Sequence, residues 1–221
     1  MNSGLKLTAL YAYGCRKTRE LGIDEKLKKF VLFKENEKEI ESEVKKLEPF
    51  FYYQLIAKAN GIDNPFDKQV VKAYWLGNQL LEKVKPEILK ELVGKVDSSY
   101  LIRANYLILG GKAHHNFSVL SKVAIRNEKI LEIVNTCLIS WGEVKKILKD
   151  ELIISYQPLV LRNKKIIFSE REERKIGCSL LKKVSLNDII SIHFNEAREV
   201  LKPDDLEQLR KYTQEAIEFF N

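Results

Sequence analysis

The chain has 221 residues, of which 45% are hydrophobic and 31% are charged, a balance that excludes disordered, collagen-like and low-complexity chains. The net charge is +7, but basic and acidic residues alternate in stretches such as 34–39 and 170–175, which is typical of a solvated surface and not of a nucleic-acid site. Three cysteines are too few for a disulfide scaffold. No apolar run is long enough for a membrane span or a secretory signal, so we expect a protein of the reducing cytoplasm that binds neither nucleic acid nor membrane.

The first part of the chain is predicted to be helical, because apolar residues recur there at helical spacing. Asp24 and Asp67 can accept hydrogen bonds from the amides of a first helical turn, and Pro49 can divide or kink a helix. Trp75 and Tyr74 lie on an apolar stripe and are expected in the core. The predicted helices cover, in chain order, residues 24–33, 37–59, 68–84, 86–92 and 98–109.

The second part is predicted to be rich in β-strands from Cys137 onward, after a short helix over 128–134. Two aliphatic runs flank the polar residues 162–165, and this arrangement indicates a hairpin. Pro203 is expected to begin an amphipathic C-terminal helix. The predicted strands cover residues 152–156, 159–161, 165–169 and 189–194.

This change of pattern predicts an α+β protein of two domains, a helical domain over residues 1–132 and a β domain with a C-terminal helix over residues 133–221. Residues 1–132 carry 23 basic and 17 acidic side chains, whereas residues 133–221 carry 15 and 14. Most of the net positive charge therefore lies in the predicted helical domain.

Two of the three histidines are adjacent, His114 and His115, and Asn116 follows them. Imidazole can bind a metal or a substrate, but adjacent side chains diverge on both a helix and a strand, so they rarely ligate one metal. Two interpretations stay open. One is a binding site, and the other is hydrogen bonding between a loop and the helical core.

Cys137 and His193 form a second candidate pair, 56 residues apart in the predicted β domain. A thiolate and an imidazole together suit a borderline or soft transition metal such as iron. A buried cysteine can equally act as a small hydrophobic residue. The spacing alone leaves both interpretations open.

The residues that surround Cys137 and His193 in the sequence resemble two motifs of a known protein family. Residues 137–144, Cys-Leu-Ile-Ser-Trp-Gly-Glu-Val, resemble the opening of the HypC/HupF family of nickel–iron hydrogenase maturation chaperones, in which Cys and aliphatic residues precede Pro-Gly. Residues 186–197, Leu-Asn-Asp-Ile-Ile-Ser-Ile-His-Phe-Asn-Glu-Ala, are similar to that family's Val-Gly-Asp-Tyr-Val-Leu-Val-His-Val-Gly-Phe-Ala. The likeness covers roughly residues 136–219. Trp141 and Asn195 stand where the family has Pro and Gly, and Cys137 is internal, whereas the family's Cys follows the initiator Met.

The resemblance implies a small OB-like β-barrel with a C-terminal helix. It also implies a protein that carries iron, bearing cyanide and carbon monoxide ligands, to the hydrogenase large subunit, with Cys137 and His193 as the iron-site residues. Other maturation proteins are implied as partners. Residues 66–78 and 114–117 are similar to an uncharacterised family whose members accompany hydrogenase genes.

The resulting prediction is an accessory or scaffold protein of nickel–iron hydrogenase maturation. A carrier is favoured over a turnover enzyme, because the sequence has no evident acid–base pair or cofactor motif. One alternative is a small-molecule-binding enzyme that uses the helical domain with His114 and His115 to supply a metal ligand. The other alternative is an OB-type module that binds nucleic acid or protein.

Overall fold

The computed structural model describes residues 3–85, 113–121 and 128–221. The chain divides into two compact units, Met1–Ser118 and Val119–Asn221. The predicted helices over 86–92 and 98–109 lie outside the described residues. Among the residues that are described, no helix combines the length and the hydrophobicity needed to cross a membrane.

The described part of the first unit is helical, as predicted. Helices α1, α3, α5 and α6 contribute most of its buried apolar side chains. At Gly4, α1 rests directly on the backbone of Phe66 and Asp67, and a β-carbon at this position would overlap the Phe66 carbonyl. The helices are α1 (Ser3–Ala12), α2 (Arg16–Glu20), α3 (Asp24–Phe33), α4 (Glu37–Val44), α5 (Glu48–Ala59), α6 (Lys68–Leu76) and a 3₁₀ helix (Gln79–Lys83).

Local chemistry explains how several of these helices begin. The predicted helix 24–33 is confirmed as α3, although the Asp24 carboxylate accepts the backbone N–H of Gly14, at 3.2 Å, and Ile23 is the N-cap residue. The predicted division at Pro49 is also confirmed, since α4 ends before it and Pro49 lies in the first turn of α5. Asp67 caps α6 as predicted, and its Oδ1 accepts from the Gln69 N–H at 2.7 Å.

The prediction that one helix covers residues 68–84 is wrong, because α6 ends at Leu76. Gly77 follows with a φ of 87°, outside the helical region. Asn78 then begins the 3₁₀ helix, and its Oδ1 accepts from the Leu80 N–H at 2.9 Å.

The second unit is built around a closed five-stranded barrel. Around the barrel the strands follow the order β1, β2, β5, β7, β6, and β6 pairs with β1 to close it. Strands β5 and β7 are parallel, and the other neighbours are antiparallel. This is the predicted OB-like barrel. The strands are β1 (Ser140–Ile147), β2 (Glu151–Tyr156), β3 (Leu159–Arg162), β4 (Lys165–Phe168), β5 (Glu172–Gly177), β6 (Ile189–His193) and β7 (Glu196–Val200).

Alternating residues of the barrel strands fill its core, since successive side chains of a strand point to opposite faces. At Gly142 a β-carbon would lie 2.9 Å from Ile154 Cδ1, so the barrel interior is closely packed there. The residues of this core are Val144, Leu152, Ile154, Tyr156, Ile176, Ile190, Ile192 and Ala197.

Strand β5 is not among the predicted strands. Residues 170–175 are predicted to form a solvated surface, and the exposure of most of their charged side chains confirms this. In the structure, Glu172–Gly177 is a barrel strand whose charged side chains are mostly exposed, whereas Ile176 enters the core.

The hairpin predicted around residues 162–165 is confirmed as β3 and β4, outside the barrel. Asparagine side chains occupy both of its edges. Asn135 accepts from the Leu159 N–H at 2.9 Å and donates to the Leu159 carbonyl at 2.8 Å. Asn221 makes the same pair of bonds to Ile166, at 2.7 and 2.9 Å.

Three helices complete the described chain. The C-terminal helix begins at Pro203, as predicted. The predicted helix 128–134 is longer than expected and runs through Cys137, so the β structure expected from Cys137 begins only at Ser140. These helices are α7 (His115–Ser121), α8 (Glu128–Cys137) and α9 (Pro203–Phe220).

Candidate functional site

Cys137 is the last residue of helix α8, and its side chain is partly exposed. Leu131 and Val134 on the apolar side of the helix are buried. The N–H of Leu138, just after the helix, donates a helical hydrogen bond to the Val134 carbonyl at 2.8 Å. Cys137 therefore lies, partly exposed, at the end of α8, where the chain leads into β1.

His193 ends strand β6 and is only 1% exposed. Ile190 and Ile192 belong to the barrel core. By strand alternation, Ser191 and His193 therefore lie on the outer wall of the barrel, and both are buried there. The imidazole is held outside the barrel interior but away from water.

The fold brings the two predicted residues to one end of the barrel. The N–H of Phe194 donates to the carbonyl of Thr136 at 3.0 Å. The residue before Cys137 is thus bonded to the residue after His193, although the two motifs are 56 positions apart in the sequence. The pairing of β1 with β6 holds the same two segments together, with Ser140 opposite Ile192.

The turn that follows His193 is tight and strained. It joins β6 to β7 through Phe194 and Asn195, whose φ angles are 52° and 58°. A left-handed backbone is routine for asparagine, but for a bulky side chain such as Phe194 it is an outlier that costs about 1–2 kcal/mol. The Phe194 ring lies against the His193 imidazole, with 4.4 Å between ring centroids.

Hydrogen bonds from two strands hold this turn. The Gly177 N–H donates to the Asn195 carbonyl at 3.0 Å, and the Arg174 guanidinium donates to the Asn195 side chain. The Arg198 guanidinium, which is 1% exposed, donates from Nη2 to the His193 carbonyl at 2.7 Å. Sequence reasoning missed Arg198, because a single arginine between Ala197 and Glu199 carries no local signal of burial.

Cys178 lies in the turn after β5, in different surroundings. Burial raises the pKa of its thiol, and the negative charges of Glu196, Asp150 and Glu151 raise it further. These surroundings therefore favour the neutral thiol of Cys178 over the thiolate that binds metals.

The predicted secondary site, His114, His115 and Asn116, is buried in the structure. The His115 ring packs on the aromatic core of the helical unit, with its centroid 4.8 Å from Trp75 and 5.7 Å from Tyr74. The expectation that Trp75 lies in the core is confirmed. These contacts favour a packing role for His115, and they leave the binding interpretation as a prediction.

A buried hydrogen bond connects the same aromatic core. Trp75 Nε1–H donates to the Tyr53 hydroxyl at 2.6 Å, and both side chains are buried. Burial raises the pKa of Tyr53 well above its ordinary value, although hydrogen bonds with Thr8 and Trp75 partly oppose this effect.

Within the described ranges 3–85, 113–121 and 128–221, no group of three or more His, Cys, Asp or Glu side chains could hold a metal ion. A small cavity beside the Cys137 segment has a volume of about 10 Å³, which is room for roughly one water molecule. Its walls include Trp141, Phe168 and Tyr156.

The fold and its geometry define a class of α+β protein in which a helical unit precedes an OB-like barrel, and the barrel brings a thiol and an imidazole to one end. The chain belongs to the DUF6390 family, a family of unknown function whose model matches residues 1–221. Neither a curated protein nor a solved structure matches the chain.

Proposed function

We propose that this protein is a cytoplasmic accessory protein of nickel–iron hydrogenase maturation. It binds an iron cyanide–carbonyl group at Cys137 and His193, or presents this end of the barrel to the hydrogenase large subunit or a maturation partner. The observation that carries the proposal is the 3.0 Å hydrogen bond from Phe194 to Thr136, because it brings the two resembling motifs to one place.

The backbone at two asparagines supports the resemblance to the HypC/HupF family. Asn187 and Asn195 stand where the family motif has glycine, and their φ angles are 67° and 58°. Asparagine is one of the few residues other than glycine that adopts this conformation routinely. The two differences from the family motif are therefore compatible with the backbone that glycine would allow.

The chemistry of the two side chains suits a carrier. The cargo brings cyanide and carbon monoxide as its own ligands, so it needs few donors from the protein. Cys137 is partly exposed and can be reached by a donor or acceptor protein, whereas His193 is buried and shielded from water. The imidazole can serve as a second ligand or accept the thiol proton when sulfur binds the metal.

Infrared spectroscopy tests this function directly. The protein is purified anaerobically from cells that express the maturation proteins, as wild type and as Cys137→Ala, His193→Ala and Cys15→Ala. We expect cyanide and carbonyl stretching bands in the wild type, their loss in Cys137→Ala and their weakening in His193→Ala. Cys15→Ala is the matched control, because it removes a thiol from the helical unit, and it should keep the bands.

Two results would contradict the proposal. One is the absence of bands in every sample although the maturation proteins are present. The other is a bound small molecule that Cys137→Ala retains and His115→Ala loses, which would favour an enzyme in the helical unit.

A further inference from the structure

Arg198 occupies an unusual position for a charged residue. It lies in β7, next to Ala197 of the barrel core, where the pairing of β7 with β6 is irregular. The residue is only 1% exposed. Burying a guanidinium is expensive, and arginine stays protonated at any physiological pH. Its burial beside the candidate site is therefore a feature that requires a physical reason.

The guanidinium donates a hydrogen bond from Nη2 to the carbonyl of His193 at 2.7 Å. A hydrogen bond from a charged donor is among the stronger ones in proteins. The bond fixes the peptide group between His193 and Phe194, which is the point where the chain leaves β6 and enters the left-handed turn. Loss of this anchor would loosen the backbone at the end of β6, which carries the imidazole, and the Phe194 N–H that binds Thr136.

We propose that Arg198 is the positioning residue for His193, and that it sets the orientation of the imidazole relative to Cys137. Arg198 acts through the peptide that follows His193 and not as a ligand. The consequence for metal binding rests on the proposed function above. The positioning itself is a property of the metal-free protein, and it is tested separately.

The first test uses metal-free protein and NMR hydrogen exchange at the Phe194 amide. Arg198→Met removes the guanidinium and keeps an apolar stem of similar length. We expect faster exchange at Phe194 beyond any change in global stability, and recovery in Arg198→Lys, which retains a charged donor. Arg174→Met is the matched control, since it removes the other arginine that bonds this turn but leaves the His193 carbonyl bonded.

Unchanged exchange at Phe194 in a folded Arg198→Met protein would overturn the positioning role. If Arg198→Met does not fold, Arg198→Gln replaces it, because glutamine keeps an N–H donor but has a shorter reach. The same increase in exchange is then expected.

The second test uses cobalt(II) as a probe metal and reads its absorption spectrum. The thiolate charge-transfer band reports Cys137, and the ligand-field bands report the geometry that His193 helps to set. We expect Arg198→Met to keep the thiolate band, to reproduce the ligand-field bands of His193→Ala and to bind cobalt about 10- to 100-fold more weakly. We expect Arg198→Lys to recover most of the wild-type spectrum.

The two arms separate the two ideas. If the wild-type protein binds no cobalt through Cys137, the exchange measurement decides the role of Arg198, and the infrared experiment decides the proposed metal function. A wild-type ligand-field spectrum in Arg198→Met, with only a lower melting temperature, would overturn the inference and leave the metal site in place.

Discussion

Replacing Tyr53 with phenylalanine removes one buried hydroxyl from the helical unit and leaves the ring in place. In the wild type this hydroxyl accepts from Trp75 Nε1–H at 2.6 Å and is hydrogen-bonded with Thr8. Loss of a buried acceptor costs about 1–3 kcal/mol, because the indole N–H cannot recover this bond from water. We expect Tyr53→Phe to lower the free energy of unfolding at pH 7 by about 2 kcal/mol, or roughly 4–8 °C in melting temperature.

The destabilisation caused by Tyr53→Phe shrinks at high pH. Burial raises the pKa of Tyr53 far above its ordinary value, so the folded protein holds this proton more tightly than the unfolded chain does. The stability that depends on this proton is complete below about pH 10 and falls by about 1.4 kcal/mol per pH unit above it. Tyr53→Phe lacks this loss. The two proteins should therefore become equally stable near pH 11.5, about 1.5 pH units above pH 10, where the loss in the wild type has reached about 2 kcal/mol. Tyr74, whose pKa burial also raises, lowers the stability of both proteins alike.

The assay is urea unfolding followed by tryptophan fluorescence in a Trp141→Phe background, so that Trp75 alone reports the helical unit. Free energies are measured for both proteins at pH 7, 9, 10 and 11. A gap between wild type and Tyr53→Phe that stays constant from pH 9 to pH 11 would refute the reasoning. It would mean that Tyr53 ionises with the same pKa in the folded and unfolded states.

Substitutions at three further positions test packing and backbone conformation. Gly4→Ala places a methyl group against the Phe66 carbonyl and should destabilise the helical unit by about 1–3 kcal/mol in thermal melting, with an unchanged melting temperature as the contrary result. Asn135→Ala removes both side-chain bonds to Leu159, and it should cost about 1–3 kcal/mol and speed amide exchange at Leu159, with unchanged exchange as the contrary result. Asn187→Gly should change stability little, whereas Asn187→Val should cost about 1–2 kcal/mol or more, and equal stabilities would contradict a conformational role for Asn187.

The parts of the fold that could be predicted from the sequence are those that local chemistry decides. Pro49 divides a helix because its ring removes a donor and restricts the backbone, whatever the surroundings. Asp67 supplies its own capping bond to a residue two positions away. The polar turn at 162–165 likewise lies between two strands that pair only with each other.

The parts that could not be predicted depend on distant residues. Strand β5 has four successive charged residues, 172–175, and becomes a strand because it pairs with β2 along its length and meets β7 at Gly177. At the candidate site, the two motifs that resemble the HypC/HupF family predicted Cys137 and His193 as site residues. The sequence carried no signal for Arg198. Its burial depends on the distant residues that pack around β7 in the folded chain, which no local pattern records.

The turn after His193 combines a backbone conformation of high energy with a contact to the imidazole. Glycine or asparagine would relieve the left-handed backbone at Phe194, and either would remove the ring that lies 4.4 Å from the imidazole. The chain therefore keeps a costly conformation together with the contact that this residue makes. Bonds to Thr136 and from Arg198 offset the cost from two sides. A two-residue hairpin turn of this kind requires a positive φ at both central residues, so the turn itself imposes the conformation that Phe194 adopts.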